Sequence, residues 1–202
     1  NRGGGSVWGM DRIERGTGKA RESWLRLHLD GARLWNASIA SGRKPAEFAK
    51  HFDTVSCCYS KGLGTPAGSA VAGDVETIKR VHRFRKMFGG AMRQSGILAG
   101  ACIYALDHHV ERLREDHENA KALAKGLAEI DGVELMTPRP ETNIVFFRLA
   151  SDRIKPAEFL ERTLKEGVRF SSLATGLRAV THLDISRQDV ESVVEVVGKV
   201  VE

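Results

Sequence analysis

The spacing of hydrophobic and polar positions changes along this chain, and the changes outline its elements. From Trp24 to Asp30, Leu25, Leu27 and Leu29 alternate with other residues, which predicts a strand. Residues 32–41 then read as a helix, and Pro45 opens a short one running to His51, where its missing N–H costs nothing. Thr54 to Cys58 predicts a second, buried strand. The small apolar residues from Ala67 to Ala72 predict a third that passes close to its neighbours. Asp74 is placed to cap a helix whose Ile78, Val81, Phe84 and Phe88 fall on one side. Strands alternating with helices predict an α/β layer with a mostly parallel sheet.

The second half has a different texture. Leu106, Val110, Leu113, His117, Ala120, Ala124 and Leu127 follow one another three and four apart, which predicts one long amphipathic helix from Tyr104 to Ile130, ending near Gly132. A strand is expected over 143–149, and a helix from Pro156 that Gly167 stops. Short strands are expected over 168–172 and 178–183. Ser186 is placed to cap a last helix whose Val190, Val193, Val194, Val197 and Val201 form an apolar stripe, the spacing overriding valine's preference for strands. The chain is therefore divided near residue 104, with part of an α/β domain over 1–103 and a smaller α+β domain over 104–202.

Composition narrows the function classes. A chain of 202 residues with 42% hydrophobic and 28% charged residues can bury a core and is not disordered by composition. The net charge of +5 permits an anionic ligand without demanding nucleic acid. The basic run Lys79 to Lys86 has too few interleaved aromatics for a nucleic-acid surface and reads as a solvated helix face. No segment is long and apolar enough for a membrane span. Three cysteines, with Cys57 and Cys58 adjacent, fit neither a metal spacing nor an even disulfide framework, so the cytoplasm is expected. His108, His109 and His117 read as surface or packing residues, and Cys57 and Cys58 as small hydrophobes in a strand. Ser60-Lys61-Gly62-Leu63-Gly64 reverses the order a nucleotide P-loop needs. The opening run, Asn1 to Ser6, has no initiator methionine and reads as the middle of a loop, so the chain is expected to be a fragment.

Two residues stand out for chemistry. Asp30 and Lys61 each follow a predicted strand, and in an open α/β sheet the carboxyl ends of strands line the ligand crevice. Each alone has an ordinary reading, an N-cap aspartate and a surface lysine. Together they match a different need. An imine-forming lysine must be held by a stiff loop, for which Gly62, Gly64 and Pro66 are suited, and a pyridinium cofactor needs a carboxylate at its ring nitrogen.

At these residues the sequence resembles a known family. His28-Leu29-Asp30-Gly31-Ala32-Arg33-Leu34, Ser60-Lys61-Gly62-Leu63-Gly64 with Pro66 and Gly68-Ser69, Gly89-Gly90-Ala91-Met92-Arg93-Gln94, and Leu177-Arg178-Ala179-Val180-Thr181-His182-Leu183-Asp184 together resemble the low-specificity L-threonine aldolases. The loop Asn1-Arg2-Gly3-Gly4-Gly5 is similar to one part-way through that family. The resemblance implies the C-terminal part of a pyridoxal-phosphate-dependent transferase-like large domain, of the aspartate-aminotransferase-like fold, plus a small α+β domain. It implies pyridoxal 5'-phosphate as cofactor, Lys61 as the Schiff-base lysine and Asp30 as partner of the pyridine nitrogen. Arg33 and Arg178 are then expected to hold the substrate carboxylate beside the cofactor, with Arg33, Ser60 and Arg93 at the cofactor and Lys86 at the substrate, Arg93 and Lys86 matching basic positions near the cofactor or at a subunit contact.

The implied reaction is retro-aldol cleavage of L-threonine, L-allo-threonine and related β-hydroxy-α-amino acids to glycine and an aldehyde. The implied partners are an amino-acid substrate and further copies in a dimer of dimers. A β-eliminating lyase or an amino-acid racemase would use the same lysine and aspartate, and a truncated, non-catalytic fragment is the other alternative. The family's phosphate-binding turn, ring-stacking histidine and base are expected upstream of residue 1, so these 202 residues alone are expected to bind the cofactor poorly.

Overall fold

The computed structural model describes residues 4–150 and 153–202; Asn1 to Gly3 of the predicted opening loop lie outside the described residues. The chain forms two compact units. One is Val7–Arg112, and the other is Leu113–Glu202 joined by the residues before Val7. The division expected near residue 104 falls inside a helix.

Val7–Arg112 begins with α1 (Met10–Glu22), which periodicity does not reveal because its buried face is only Ile13 and Thr17, with Gly16 and Gly18 on either side of Thr17. The helix closes with the Leu25 N–H donating to the Ala20 carbonyl at 3.1 Å and the Trp24 N–H to Arg21 at 2.9 Å. This Schellman closure places Trp24 in the left-handed region, at φ 58°. The predicted strand thereby loses its first half. Leu25 is 57% exposed, and β1 spans only His28–Gly31. After α2 (Leu34–Ser41) and α3 (Pro45–Ala49), β2 (Thr54–Cys58) lies parallel to β1, while β3 (Ser69–Gly73) lies antiparallel to β2, in the order β1-β2-β3. The α/β reading holds, with a mixed rather than mostly parallel set of pairings in this sheet. The loop Tyr59–Gly68 carries no crossover helix, and a parallel return would need one.

One face of this sheet is covered. Ile13, Leu34, Phe48 and Val55 form a buried cluster, with Leu29 and Ala37 packed against it. On the far side of β3, α4 (Val75–Met87) is capped as expected, the Thr77 N–H donating to the Asp74 carboxylate at 2.9 Å. Its predicted apolar side is not buried. Phe84 and Phe88 are 43% and 84% exposed and stack on each other at 6.1 Å.

The long helix expected over 104–130 is two helices, α5 (Gly96–His108) and α6 (Leu113–Ala128). No glycine or proline marks the break, which coincides with the His109 imidazole Nδ1 lying 2.7 Å from the Leu63 carbonyl oxygen. The stripe itself is right over α6, where Leu113, His117, Ala120, Ala124 and Leu127 are all buried.

In the second unit a four-stranded antiparallel sheet runs in the order β4-β5-β7-β6, from β4 (Val133–Leu135), β5 (Ile144–Leu149), β6 (Ser171–Leu173) and β7 (Gly176–Val180). α6, α7 (Pro156–Lys165) and α8 (Arg187–Val201) pack on one side of it. Ser186 caps α8 in a capping box with Asp189, and Val190, Val197 and Val201 of the predicted stripe are buried with Val200. The core between helices and sheet joins these valines to Leu123, Leu127, Val145, Phe147, Phe159, Phe170 and Leu177.

His117 in α6 gives this unit a pH dependence. It is 4% exposed, and burial, followed by the charge of Lys121, pulls its imidazole down from 6.5 to about 4. Between those values the unfolded chain takes up a proton that the folded form excludes, so stability is full above pH 6.5 and falls as pH drops toward 4. We expect a loss on the order of 3 kcal/mol over that window. Urea unfolding at several pH values checks it, and His117→Gln should flatten the slope; an unchanged slope would refute the assignment to His117.

Candidate active site

Side chains alternate across a sheet, so residues two apart share a face. With Leu29 and Val55 facing the buried cluster, His28, Asp30, Thr54, Ser56 and Cys58 face the opposite way. The register pairs His28 with Thr54 and Asp30 with Ser56. Contacts agree, since the His28 ring bonds Thr54 Oγ1 at 2.8 Å and Ser56 Oγ at 3.2 Å.

Asp30 ends β1 on this face. Its Oδ1 accepts the Ala32 N–H at 3.1 Å, and its second oxygen has no partner among the described residues. Gly31 follows because nothing larger fits. A Cβ there would lie 2.5 Å from the Ser56 carbonyl oxygen. Arg33, half-buried, stands at the N-cap of α2.

Lys61 sits on the loop after β2, and the loop is tied at several points. Tyr59 N–H donates to Gly68 O at 3.0 Å, Gly64 N–H to Lys61 O at 2.9 Å, and Thr65 Oγ1 to Ala67 O at 3.1 Å. Leu63, 1% exposed, anchors its middle, with His109 on its carbonyl. Gly68, at φ 128°, lies under α5, where an added Cβ would be 3.0 Å from Cys102 Sγ. Tyr59, stacked on Trp35 at 6.4 Å, has its phenol pushed up to about 12 by burial and then by neighbouring Cys57. From this stiff loop the exposed Lys61 turns back onto the sheet face, Nζ donating to Cys58 Sγ at 3.0 Å.

The structure thus gives Lys61 and Asp30 a common face, with exposed Ser60 next to the lysine in the loop. Lys86 and Arg93 make no hydrogen bond or ion pair with either among the described residues. Both are exposed, Lys86 in the last turn of α4 and Arg93 in the following turn, where Arg85 Nε bonds Gly90 O at 2.8 Å.

Arg178 belongs to the other unit. In β7 it pairs with Phe146 and alternates with buried Leu177 and Ala179, so it points away from the helix-covered core. Its Nε is buried with no hydrogen-bond partner among the described residues. A buried guanidinium N–H left open is suited to an anionic group.

Sequence reasoning missed Cys58 and His109 as neighbours of the lysine loop. The two-residue alternation of β2, read with its pairing to β1, could have placed Cys58 on the Asp30 face, and no local signal links His109 to Leu63.

The Beta-eliminating lyase family model matches residues 1–151. The chain belongs to the beta-eliminating lyase family. Within it, the chain is 45% identical to a low-specificity L-threonine aldolase of Escherichia coli K12, over 86% of this chain and 50% of the relative. It is 36% identical to one from Candida albicans, over 94% of this chain and 49% of the relative. The chain spans about half the length of these curated relatives. Among solved structures it resembles the Leishmania major threonine aldolase with a TM-score of 0.77 at 21% identity, covering 98% of this chain and 58% of that one. A Rhodiola rosea 4-hydroxyphenylacetaldehyde synthase matches with a TM-score of 0.72 at 20% identity, covering 93% and 45%. Two differently named activities on one fold show that this family member's chemistry must be argued from its residues.

Among the described residues no helix is long and apolar enough to cross a membrane, and no group of His, Cys, Asp and Glu could hold a metal ion.

Proposed function

We propose that this chain carries the lysine side of a pyridoxal 5'-phosphate site in an enzyme that splits L-threonine, L-allo-threonine and related β-hydroxy-α-amino acids to glycine and an aldehyde. The observation that carries the reading is Lys61, on a tied loop, facing the same side of a sheet as a carboxylate with a spare oxygen. The residues fit the cofactor. Lys61 would hold it covalently, and the free oxygen of Asp30 would hold the proton on its ring nitrogen. When bound, the cofactor supplies a sink for the electron pair released as the Cα–Cβ bond breaks.

The protein's own work is positioning and charge. Asp30, fixed by the Ala32 N–H, presents one oxygen in one direction. Arg178, with its open buried Nε, and Arg33 are proposed to hold the substrate carboxylate, a planar group that matches a guanidinium fork. Ser60 is proposed beside the cofactor, and Arg93 and Lys86 in supporting cationic roles there or at a subunit contact. The likeness to the E. coli and C. albicans aldolases favours aldol cleavage over β-elimination or racemisation.

Product analysis tests the reaction. With L-threonine, pyridoxal phosphate and the full polypeptide, glycine and acetaldehyde are expected in equal amounts; pyruvate-type or D-amino-acid products would overturn the aldolase reading. Arg178→Gln should raise KM for L-threonine on the order of 10²-fold by losing a charge-assisted carboxylate contact. A homo-oligomer, a dimer of dimers, is also proposed, because Val75, Met87, Phe88, Ile97 and Ile103 leave apolar surface exposed on α4 and α5. Light scattering that finds only a monomer at micromolar concentration would reject it.

A further inference from the structure

We propose that Cys58 and Lys61 form a peroxide-sensitive pair, in which oxidation of the thiol captures the lysine amine and blocks cofactor loading. The consequence for loading rests on Lys61 being the cofactor lysine; the cross-link itself does not.

The geometry is direct. Cys58 is partly accessible at the end of β2, and Lys61 Nζ lies 3.0 Å from its sulfur. The alternation of β2 sends Cys57 to the other face, where its sulfur lies 3.9 Å from Tyr59 Oη. Cys102 is 8% exposed and directed at the Ala67 carbonyl at 3.6 Å. The nucleophile placed against Cys58 is therefore the amine and not a second thiol. Both groups stand on a stiff segment, Cys58 in a paired strand and Lys61 in the tied loop, so the amine is held within reach while the thiol is oxidised.

The chemistry balances. A peroxide, the oxidant, transfers an oxygen to the Cys58 sulfur and leaves as water or an alcohol, giving a sulfenic acid. The Lys61 nitrogen lone pair attacks that sulfur, the S–O bond breaks, and the hydroxide departs as water with one proton from the amine. The product is an S–N bond, two hydrogens lighter than the starting pair. Two thiols reverse it, ending as a disulfide while Cys58 and Lys61 regain their hydrogens. A sulfenic acid without a neighbouring nucleophile would instead continue to irreversible forms. The pair so protects the sulfur and makes the block recoverable, and a cofactor already on Lys61 removes the free amine that the cross-link needs.

Peptide mapping tests this on the full polypeptide, cofactor-free, treated with hydrogen peroxide. The modified lysine resists trypsin, so the peptide covering 51–79 should appear uncut at Lys61, two hydrogens light, and return to normal cutting after dithiothreitol. Lys61→Arg should convert Cys58 into a dimedone-reactive sulfenic acid. In parallel, trapping of pyridoxal phosphate on Lys61 with borohydride should fall roughly ten-fold after peroxide and recover with dithiothreitol, whereas Cys58→Ser should keep its own untreated level. Normal trypsin cutting at Lys61 with Cys58 as sulfinic or sulfonic acid would overturn the proposal. If the reduced protein takes no borohydride-stable adduct at Lys61 while the cross-link forms, the cofactor-lysine reading fails and the cross-link stands.

Discussion

Lys61→Ala is expected to remove the borohydride-stable cofactor adduct and to lower L-threonine cleavage by roughly 10³-fold or more, because an alanine side chain has no amine with which to form the imine. The loop should survive the change. Its ties run through the Tyr59, Gly64 and Thr65 N–H groups, the Thr65 hydroxyl and the Leu63 carbonyl, none of which is the lysine side chain. Circular dichroism and melting temperature should therefore match the parent, which separates lost chemistry from lost structure. Lys61→Arg, which keeps the charge but cannot form an imine, should be as inactive. Activity within ten-fold of the parent in both variants would remove Lys61 from the chemistry and with it the proposed function.

Phe147→Ala is expected to have the largest effect on stability, about 3–5 kcal/mol. Phe147 is fully buried in β5, with ring centroids 6.2 Å from Phe159 at 74° and 5.3 Å from Phe170 at 79°. Edge-to-face contacts of this kind add to the area term, and truncation loses both contacts and leaves a void among rigid neighbours. Hydrogen exchange should show the loss in the Leu113–Glu202 unit. Phe147→Leu should recover part of it. A change below about 1 kcal/mol for the alanine variant would mean that the three-ring cluster does not hold this unit together.

Some of the tertiary arrangement is already implied by the sequence. The segment between Cys58 and Ser69 contains no helix, which already implies an antiparallel β2–β3 pairing, yet the alternation of strands and helices elsewhere favoured a parallel one. Other features were out of reach. The Leu25-Leu27-Leu29 alternation is real, but a Schellman closure ending on Trp24, a residue with no preference for the left-handed region, uses up the segment before β1. The stripe through Leu106, Val110 and Leu113 continues across the α5–α6 break, and only the contact between His109 and Leu63, far apart in sequence, marks the place.

By itself the sequence determined the local elements whose signals are local. These are the Asp74 and Ser186 caps, the extended run of β2, of which only Val55 is buried, the valine stripe of α8 and the motif glycines around Asp30 and Lys61. It also singled out Lys61 and Asp30 as candidates, since their residue types and loop chemistry are written in a few consecutive positions. Tertiary structure alone decided which side of the sheet these groups share, that Cys58 stands against the lysine amine, and that the Nε of Arg178 is buried without a partner among the described residues. Those facts depend on strand register, loop closure and burial, which are set by contacts between residues distant along the chain.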